Sequence, residues 1–193
     1  MKTTNVERYL NSFGKEVVKK AKENLREGEK GGGNLENSIK FKVVPDSDGF
    51  SVQFFMASYG TFMDKGVKGE GGEIKSGEHK GTYGGRRHFI TWEGKRKDSP
   101  YKFGSGKSSG SIYKGIGAFI KNKGIKGRDK KSGRFITNKS LSFAIVKVLW
   151  VKGIHGISFF QNSLMLGMKK FGSELLVNVK EDIIDSISKT QVN

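Results

Sequence analysis

Residues 66–110 interrupt an otherwise periodic chain. This stretch is dense in Gly, Lys and Arg, while the segments on both sides keep the apolar spacing of helices and strands. A core must therefore be built from the flanks. The stretch is too glycine-rich to bury much surface and too long for a plain hairpin loop. It reads as a flexible insertion or assembly loop over 67–110, and not as a catalytic cleft. Glycine accounts for 28 of 193 residues, roughly twice its ordinary share. The glycines have no period of three, which excludes collagen. A chain of 193 residues suffices for one domain, so a single domain over 1–193 is expected to carry the insertion.

The flanks can be read element by element. Tyr9, Leu10, Phe13, Val17, Val18, Ala21 and Leu25 recur at three- and four-residue spacing and predict an amphipathic helix over 5–28. Gly31-Gly32-Gly33 stops it, and Leu35 to Ile39 reads as a turn or helix start. Ile39, Phe41 and Val43 alternate, as do Phe50, Val52, Phe54 and Met56, with Pro45-Asp46-Ser47-Asp48-Gly49 between them. This is a hairpin with one apolar face, most simply buried against the first helix. Phe62-Met63 continues a strand or makes a helical turn, and His88–Trp92 carries enough apolar content for a short strand.

After the interruption, Ile112, Ile116, Phe119 and Ile120 space as a helix ended by Gly124. A second helix is expected over 139–151, broken by Gly153 and Gly156. Leu164, Met168, Phe171, Leu175, Leu176, Val179, Ile183 and Ile187 predict a long last helix. The expected class is α+β. A long N-terminal helix and C-terminal helices pack on a small antiparallel sheet, with a long basic Gly-rich insertion.

Charge narrows the function classes. The net charge is +17, from 36 Lys and Arg against 19 Asp and Glu, and such a field attracts polyanions. There is no Cys, hence no disulfide framework and no thiolate chemistry. The opening residues lack the apolar region of a secretory leader, and no apolar run approaches the length of a membrane span. The expected setting is a cytosol, or a particle assembled there.

Catalytic patterns are weak. His79, His88 and His155 lack the spacing of a helical zinc site. Asp46 and Asp48 sit in a tight turn, Asp64 and Asp129 stand apart, and Glu181, Asp182 and Asp185 lie near the end of the last helix. None forms a short acidic motif for Mg²⁺. Gly106-Lys107-Ser108 imitates a phosphate loop, but Tyr101 and Lys102 stand where its first glycine would be. No catalytic, cofactor-binding or metal-binding residue is assigned, and a non-enzyme is expected.

Two basic groups remain as candidates. Arg86, Arg87, Lys95, Arg96, Lys97 and Lys102 sit around Phe89, Trp92, Tyr101 and Phe103 in sequence. Lys121, Lys123, Lys126, Arg128, Lys130, Lys131 and Arg134 cover the connection between two helices. Basic residues mixed with aromatics track phosphates and stack bases, and the same mixture anchors protein interfaces. Both readings stay open. Neither group matches a base-reading motif, so any DNA contact is expected to be non-specific.

Three segments resemble the neck or tail-completion proteins of tailed bacteriophages, which join head to tail. Gly33, Leu35, Ser38 and Ile39 match a "G-x-L-x-x-S-I" turn into the first strand. Tyr59, Phe62, Met63, Asp64 and Gly66 match "Y-x-x-F/Y-V-E/D-x-G", with Met63 in place of Val. Phe159-Phe160 stands where the family often has a proline–phenylalanine pair. A narrower likeness runs from Lys123 to Phe160, in the pattern "K-G-I … R-D … G-R-F … K-G-I-x-G … F-F", and is similar to sequences of podovirus-like phages of gut bacteria.

The resemblance implies a structural virion protein assembled in the host cytoplasm. It would form a homo-oligomeric ring of 6 or 12 copies on the portal or its adaptor, meet tail proteins, and surround the DNA channel. A tail terminator or tail tube component, or a non-virion nucleic-acid-binding protein, is the alternative.

Overall fold

The computed structural model describes residues 4–28, 33–47, 49–75, 77–103, 112–129 and 131–190. In chain order the helices are α1 (Thr4–Glu27), α2 (Asn34–Ser38), α3 (Gly60–Lys65), α4 (Ile112–Lys123), α5 (Asn138–Lys152) and α6 (Phe159–Thr190). The strands are β1 (Lys40–Asp46), β2 (Gly49–Phe55), β3 (Val67–Lys68), β4 (Gly72–Ile74), β5 (Gly81–Tyr83), β6 (His88–Ile90), β7 (Arg96–Asp98) and β8 (Gly153–Ile154). They pair as four two-stranded sheets, β1-β2, β3-β8, β4-β5 and β6-β7. The class is α+β, as the periodicity predicts.

Two compact units divide the chain. Unit 1 comprises Met1–Asp64, Phe89–Lys97 and Ile157–Asn193; unit 2 comprises Lys65–His88 and Asp98–Gly156. The single domain expected from length is thus two clusters, each with its own buried residues. Of the C-terminal helices, α6 shares a unit with β1 and β2, whereas α4 and α5 belong to unit 2.

Unit 1 is organised by the stripe on α1. Tyr9, Phe13, Val17, Ala21 and Leu25 follow one another at four-residue intervals, and all are buried. Burying each large side chain contributes about 1.5–3 kcal/mol. Helix α6 lies along this stripe. Gly167 makes the approach possible, because a Cβ there would stand 2.7 Å from Val17 Cγ2. The β1-β2 hairpin covers another part of α1, with Phe41 opposite Phe54 in the antiparallel register. Phe54 meets Phe13 edge-on at 6.3 Å and Phe160 at 5.3 Å between ring centroids. Further along, Ala21, Leu25, Leu35, Ile39 and Phe159 form the buried cluster that joins α1, α2 and the start of α6.

Both long helices of unit 1 begin on a remote carboxylate. The Asp182 carboxylate accepts from the backbone N–H of Asn5 at 3.3 Å and of Val6 at 2.9 Å. Asp64 Oδ1 accepts from Phe160 N–H at 2.8 Å and Gln161 N–H at 3.3 Å. First-turn N–H groups lack intrahelical partners, and a negative charge there also complements the helix dipole.

In unit 2, residues 67–88 and 98–103 of the stretch expected to be a flexible insertion are joined by backbone hydrogen bonds; residues 104–110 lie outside the described residues. Backbone hydrogen bonds run from Gly69 N to Gly85 O at 2.8 Å, Glu70 N to Trp150 O at 2.9 Å and Lys68 N to Tyr101 O at 2.8 Å. Ser99, buried, donates its hydroxyl to Gly66 O at 2.7 Å. The glycines here admit close backbone packing. A Cβ on Gly69 would lie 2.3 Å from Val151 O, and Gly153 combines φ +80 with a would-be Cβ 2.4 Å from Val67 O. At Gly69 and Gly153 the absent side chain thus admits backbone-on-backbone contact, which a Cβ would prevent.

Residues Phe89–Lys97 belong to unit 1. There they are tied to the start of α6 by Ile90 N–H to Ser158 Oγ at 2.9 Å. Trp92 N–H adds a bond to Gln161 Oε1 at 3.1 Å.

Candidate functional site

The fold segregates the charge. Unit 2 contains 19 Lys and Arg against 5 Asp and Glu, a net of +14, whereas unit 1 contains 17 against 14, a net of +3. Nearly all of the excess therefore sits in the unit built around the glycine-rich stretch and the α4–α5 pair.

The densest part is the connection between α4 and α5. Helix α4 ends with Lys121 and Lys123, and Gly124 follows with φ +63. The chain then forms a short strap. Arg128 and Phe135 pair as an antiparallel bridge, with Asp129 N–H to Arg134 O at 2.8 Å and Ile136 N–H to Gly127 O at 3.0 Å. Gly127 sits tightly over Leu141 and Ile136, its would-be Cβ 2.9 Å from Leu141 Cδ1. Thr137 then caps α5, its Oγ1 accepting from Ser140 N–H at 3.2 Å.

Asp129 is the one acidic residue between Lys121 and Lys139. Its Oδ1 accepts from Ser132 N–H at 2.7 Å, Ser132 hydroxyl at 2.9 Å and Lys131 N–H at 3.1 Å. The Ser132 bonds, backbone first, hold its pKa below the usual aspartate value. This carboxylate shapes the turn. Among the described residues, Lys121, Lys123, Lys126, Arg128, Lys131, Arg134 and Lys139 are all exposed, and none has an ion-pair partner within 4.0 Å. Lys130 lies outside the described residues. Phe135, 59% exposed, has the Arg128 guanidinium 4.3 Å and Lys126 Nζ 5.8 Å from its ring centroid.

The first basic–aromatic group is divided between the two units. Phe89, Trp92, Arg96 and Lys97 belong to unit 1, whereas Arg86, Arg87 and Tyr101 belong to unit 2. Phe89 is buried, which corrects its reading as an exposed anchor; alternation along β6 turns it inward and leaves Ile90 outside. Trp92 remains 43% exposed, and Arg86, Arg96 and Lys97 are exposed. Arg87 is half-buried, its Nη1 donating to Arg86 O at 3.0 Å, and its Nε is buried without a hydrogen-bond partner among the described residues. Tyr101 is half-buried, and its backbone carbonyl is engaged by Lys68.

Unit 1 also exposes three aromatic residues close in sequence. Phe55, Tyr59 and Phe62, at 49%, 45% and 42% exposure, come from the end of β2 and the start of α3. Tyr59 and Phe62 belong to the same motif that supplies Asp64. The sequence missed two features. Lys139 extends the basic strap into α5, and the carboxylates of Asp64 and Asp182 act as remote helix caps. Helix-capping distance in sequence is normally three residues or fewer, so a cap from 96 positions away leaves no local pattern.

Among the described residues no group of three or more His, Asp or Glu is placed to hold a metal ion. His88 Nδ1 lies 2.8 Å from Asp98 Oδ1, His79 Nδ1 lies 3.1 Å from Lys152 Nζ, and His155 Nδ1 lies 2.7 Å from Gly156 O. Among the described residues no helix is long and apolar enough to cross a membrane. No protein-family model, curated protein or solved structure matches the chain.

Proposed function

We propose that this chain is a structural virion protein that forms a ring at the head–tail junction, connecting the portal or its adaptor to the tail around the DNA channel. One observation carries the reading. The three segments that resemble neck proteins are far apart in sequence and meet in unit 1. Ser38 Oγ accepts from Ala57 N–H at 2.8 Å and donates to Leu35 O at 2.7 Å, locking the first motif to the end of β2. Asp64 of the second motif caps the helix that opens with Phe159-Phe160 of the third. Ile157 N–H to Met63 O at 3.0 Å and Ser158 N–H to Asp64 O at 2.9 Å zip the same two segments together.

The exposed Phe55, Tyr59 and Phe62 support the ring. They sit beside this junction in every copy, and aromatic residues anchor protein interfaces. A ring repeats each such contact, so modest pairwise affinity suffices. Cryo-electron microscopy of particles from the virus encoding the chain tests the proposal. The expected result is density for 6 or 12 copies on the portal axis; particles that lack the chain would overturn it.

A further inference from the structure

The geometry points to the α4–α5 strap of unit 2 as a docking surface for the phosphate backbone of duplex DNA, read without sequence preference. Six side chains carry it: Lys121, Lys123, Lys126, Lys131, Arg134 and Lys139. All six are exposed and, among the described residues, none is neutralised by a carboxylate within 4.0 Å. Asp129, the acidic residue amid them, spends its Oδ1 on the Ser132 and Lys131 donors. The strap is preorganised by the Arg128–Phe135 bridge and the Thr137 cap, so the charges are displayed on a defined turn.

Three considerations select duplex DNA over other anions. Lysine dominates the set, and lysine is depleted at protein interfaces but serves phosphate as a compact point charge. A duplex carries one negative charge per about 1.7 Å of axis, so a cluster of cations releases several counterions at once. The strap offers one aromatic ring, Phe135, whereas single-strand grooves stack successive bases on several rings.

The test is fluorescence anisotropy of the full chain with a mixed-sequence duplex of about 20 base pairs across a salt series. A variant with Lys121→Gln, Lys126→Gln, Lys131→Gln and Arg134→Gln is expected to bind at least about tenfold more weakly, with a log–log salt slope flatter by about 3. A control variant in unit 1, Lys15→Gln, Lys40→Gln, Lys42→Gln and Lys169→Gln, is expected to bind as the parent does. A charge-preserving variant with Lys121→Arg, Lys126→Arg and Lys131→Arg is expected to retain binding, which separates charge from folding.

Equal weakening by the control would overturn the assignment, since it would show diffuse charge and no localised surface. Tighter binding of a single strand than of the duplex would also overturn it, as would no binding by the parent chain at about 100 mM salt. The inference goes beyond the ring and does not depend on it. It is read on the isolated chain, so its failure leaves the particle experiment untouched, and the reverse holds.

Discussion

The Asp64 carboxylate accepts the backbone N–H of Phe160 at 2.8 Å, across 96 residues of chain. The bond is a helix cap supplied from outside the helix. Ser158, at the position where a local cap would stand, adopts φ +50 and turns its hydroxyl to Ile90 N–H. The opening of α6 is therefore fixed by two other parts of unit 1, α3 and the tip of the β6-β7 hairpin. That makes Asp64 a residue on which several contacts converge.

Replacing it should be costly. Asp64→Ala leaves the Phe160 and Gln161 N–H groups without their carboxylate acceptor, at about 1–3 kcal/mol for a buried group left unpaired. For a chain of this size, at about 2–4 °C per kcal/mol, the expected drop in Tm is roughly 2–12 °C. Asp64→Asn keeps an acceptor oxygen but loses the charge facing the helix dipole, and should fall between parent and Ala. Thermal unfolding followed by circular dichroism measures both; an Ala variant that melts with the parent would remove the cap from this account.

Phe89 and Trp92 should behave oppositely although three residues apart. Phe89 is buried, so Phe89→Ala is expected to destabilise by about 3–5 kcal/mol. Trp92 is 43% exposed, so Trp92→Ala should leave the melting transition in place and lower self-association. Melting curves paired with analytical ultracentrifugation separate the two outcomes.

The glycine contacts of unit 2 give a sharper test of packing. At Gly69 an added methyl meets Val151 O at 2.3 Å, backbone against side chain, where nothing flexible can yield. Gly69→Ala is expected to loosen unit 2 and raise hydrogen exchange over β3, β8 and the end of α5. Gly84→Ala is the matched control, because nothing lies within 4 Å of a Cβ there. Equal exchange in both variants would contradict close backbone packing.

At Gly14 the neighbour is a ring. A Cβ there would overlap the edge of Phe41, so the hairpin must shift for any side chain. Gly14→Ala gains helix propensity of about 1 kcal/mol, yet the clash is expected to outweigh it. A lower Tm is the expected reading; a higher one would show that Phe41 swings away freely.

Asp129 sets a pH expectation for the strap. Its folded pKa is held below the unfolded value by the Ser132 hydrogen bonds. The stabilisation is therefore fully present above the unfolded pKa and is lost as pH falls through the depressed folded one. A carboxyl-carbon NMR titration should find Asp129 below the ordinary aspartate range, and Ser132→Ala should move it back upward.

The elements were legible because their periods are local. The four-residue stripe from Tyr9 to Leu25 predicts α1, the alternation around Phe41 and Phe54 predicts the hairpin, and the persistent stripe through Val179 predicts α6, all as found. Part of the candidate site was legible too. The run from Lys121 to Arg134 is visible as charge, and the structure adds Lys139 and the locked role of Asp129. In the first basic group, Phe89 and Trp92 fall in one unit and Arg86 and Tyr101 in the other, a division that no local spacing announces.

By itself the sequence determined the long helices, the β1-β2 hairpin and how much positive charge the chain carries. Both follow from residue type and short spacing. Tertiary structure alone decided that the glycine-rich stretch packs, that Phe89 is buried, that two units exist, and that +14 of the charge falls in one of them. The reason is physical. Close contact between backbones, and hydrogen bonds such as Asp64 to Phe160, join residues whose separation along the chain has no period to read.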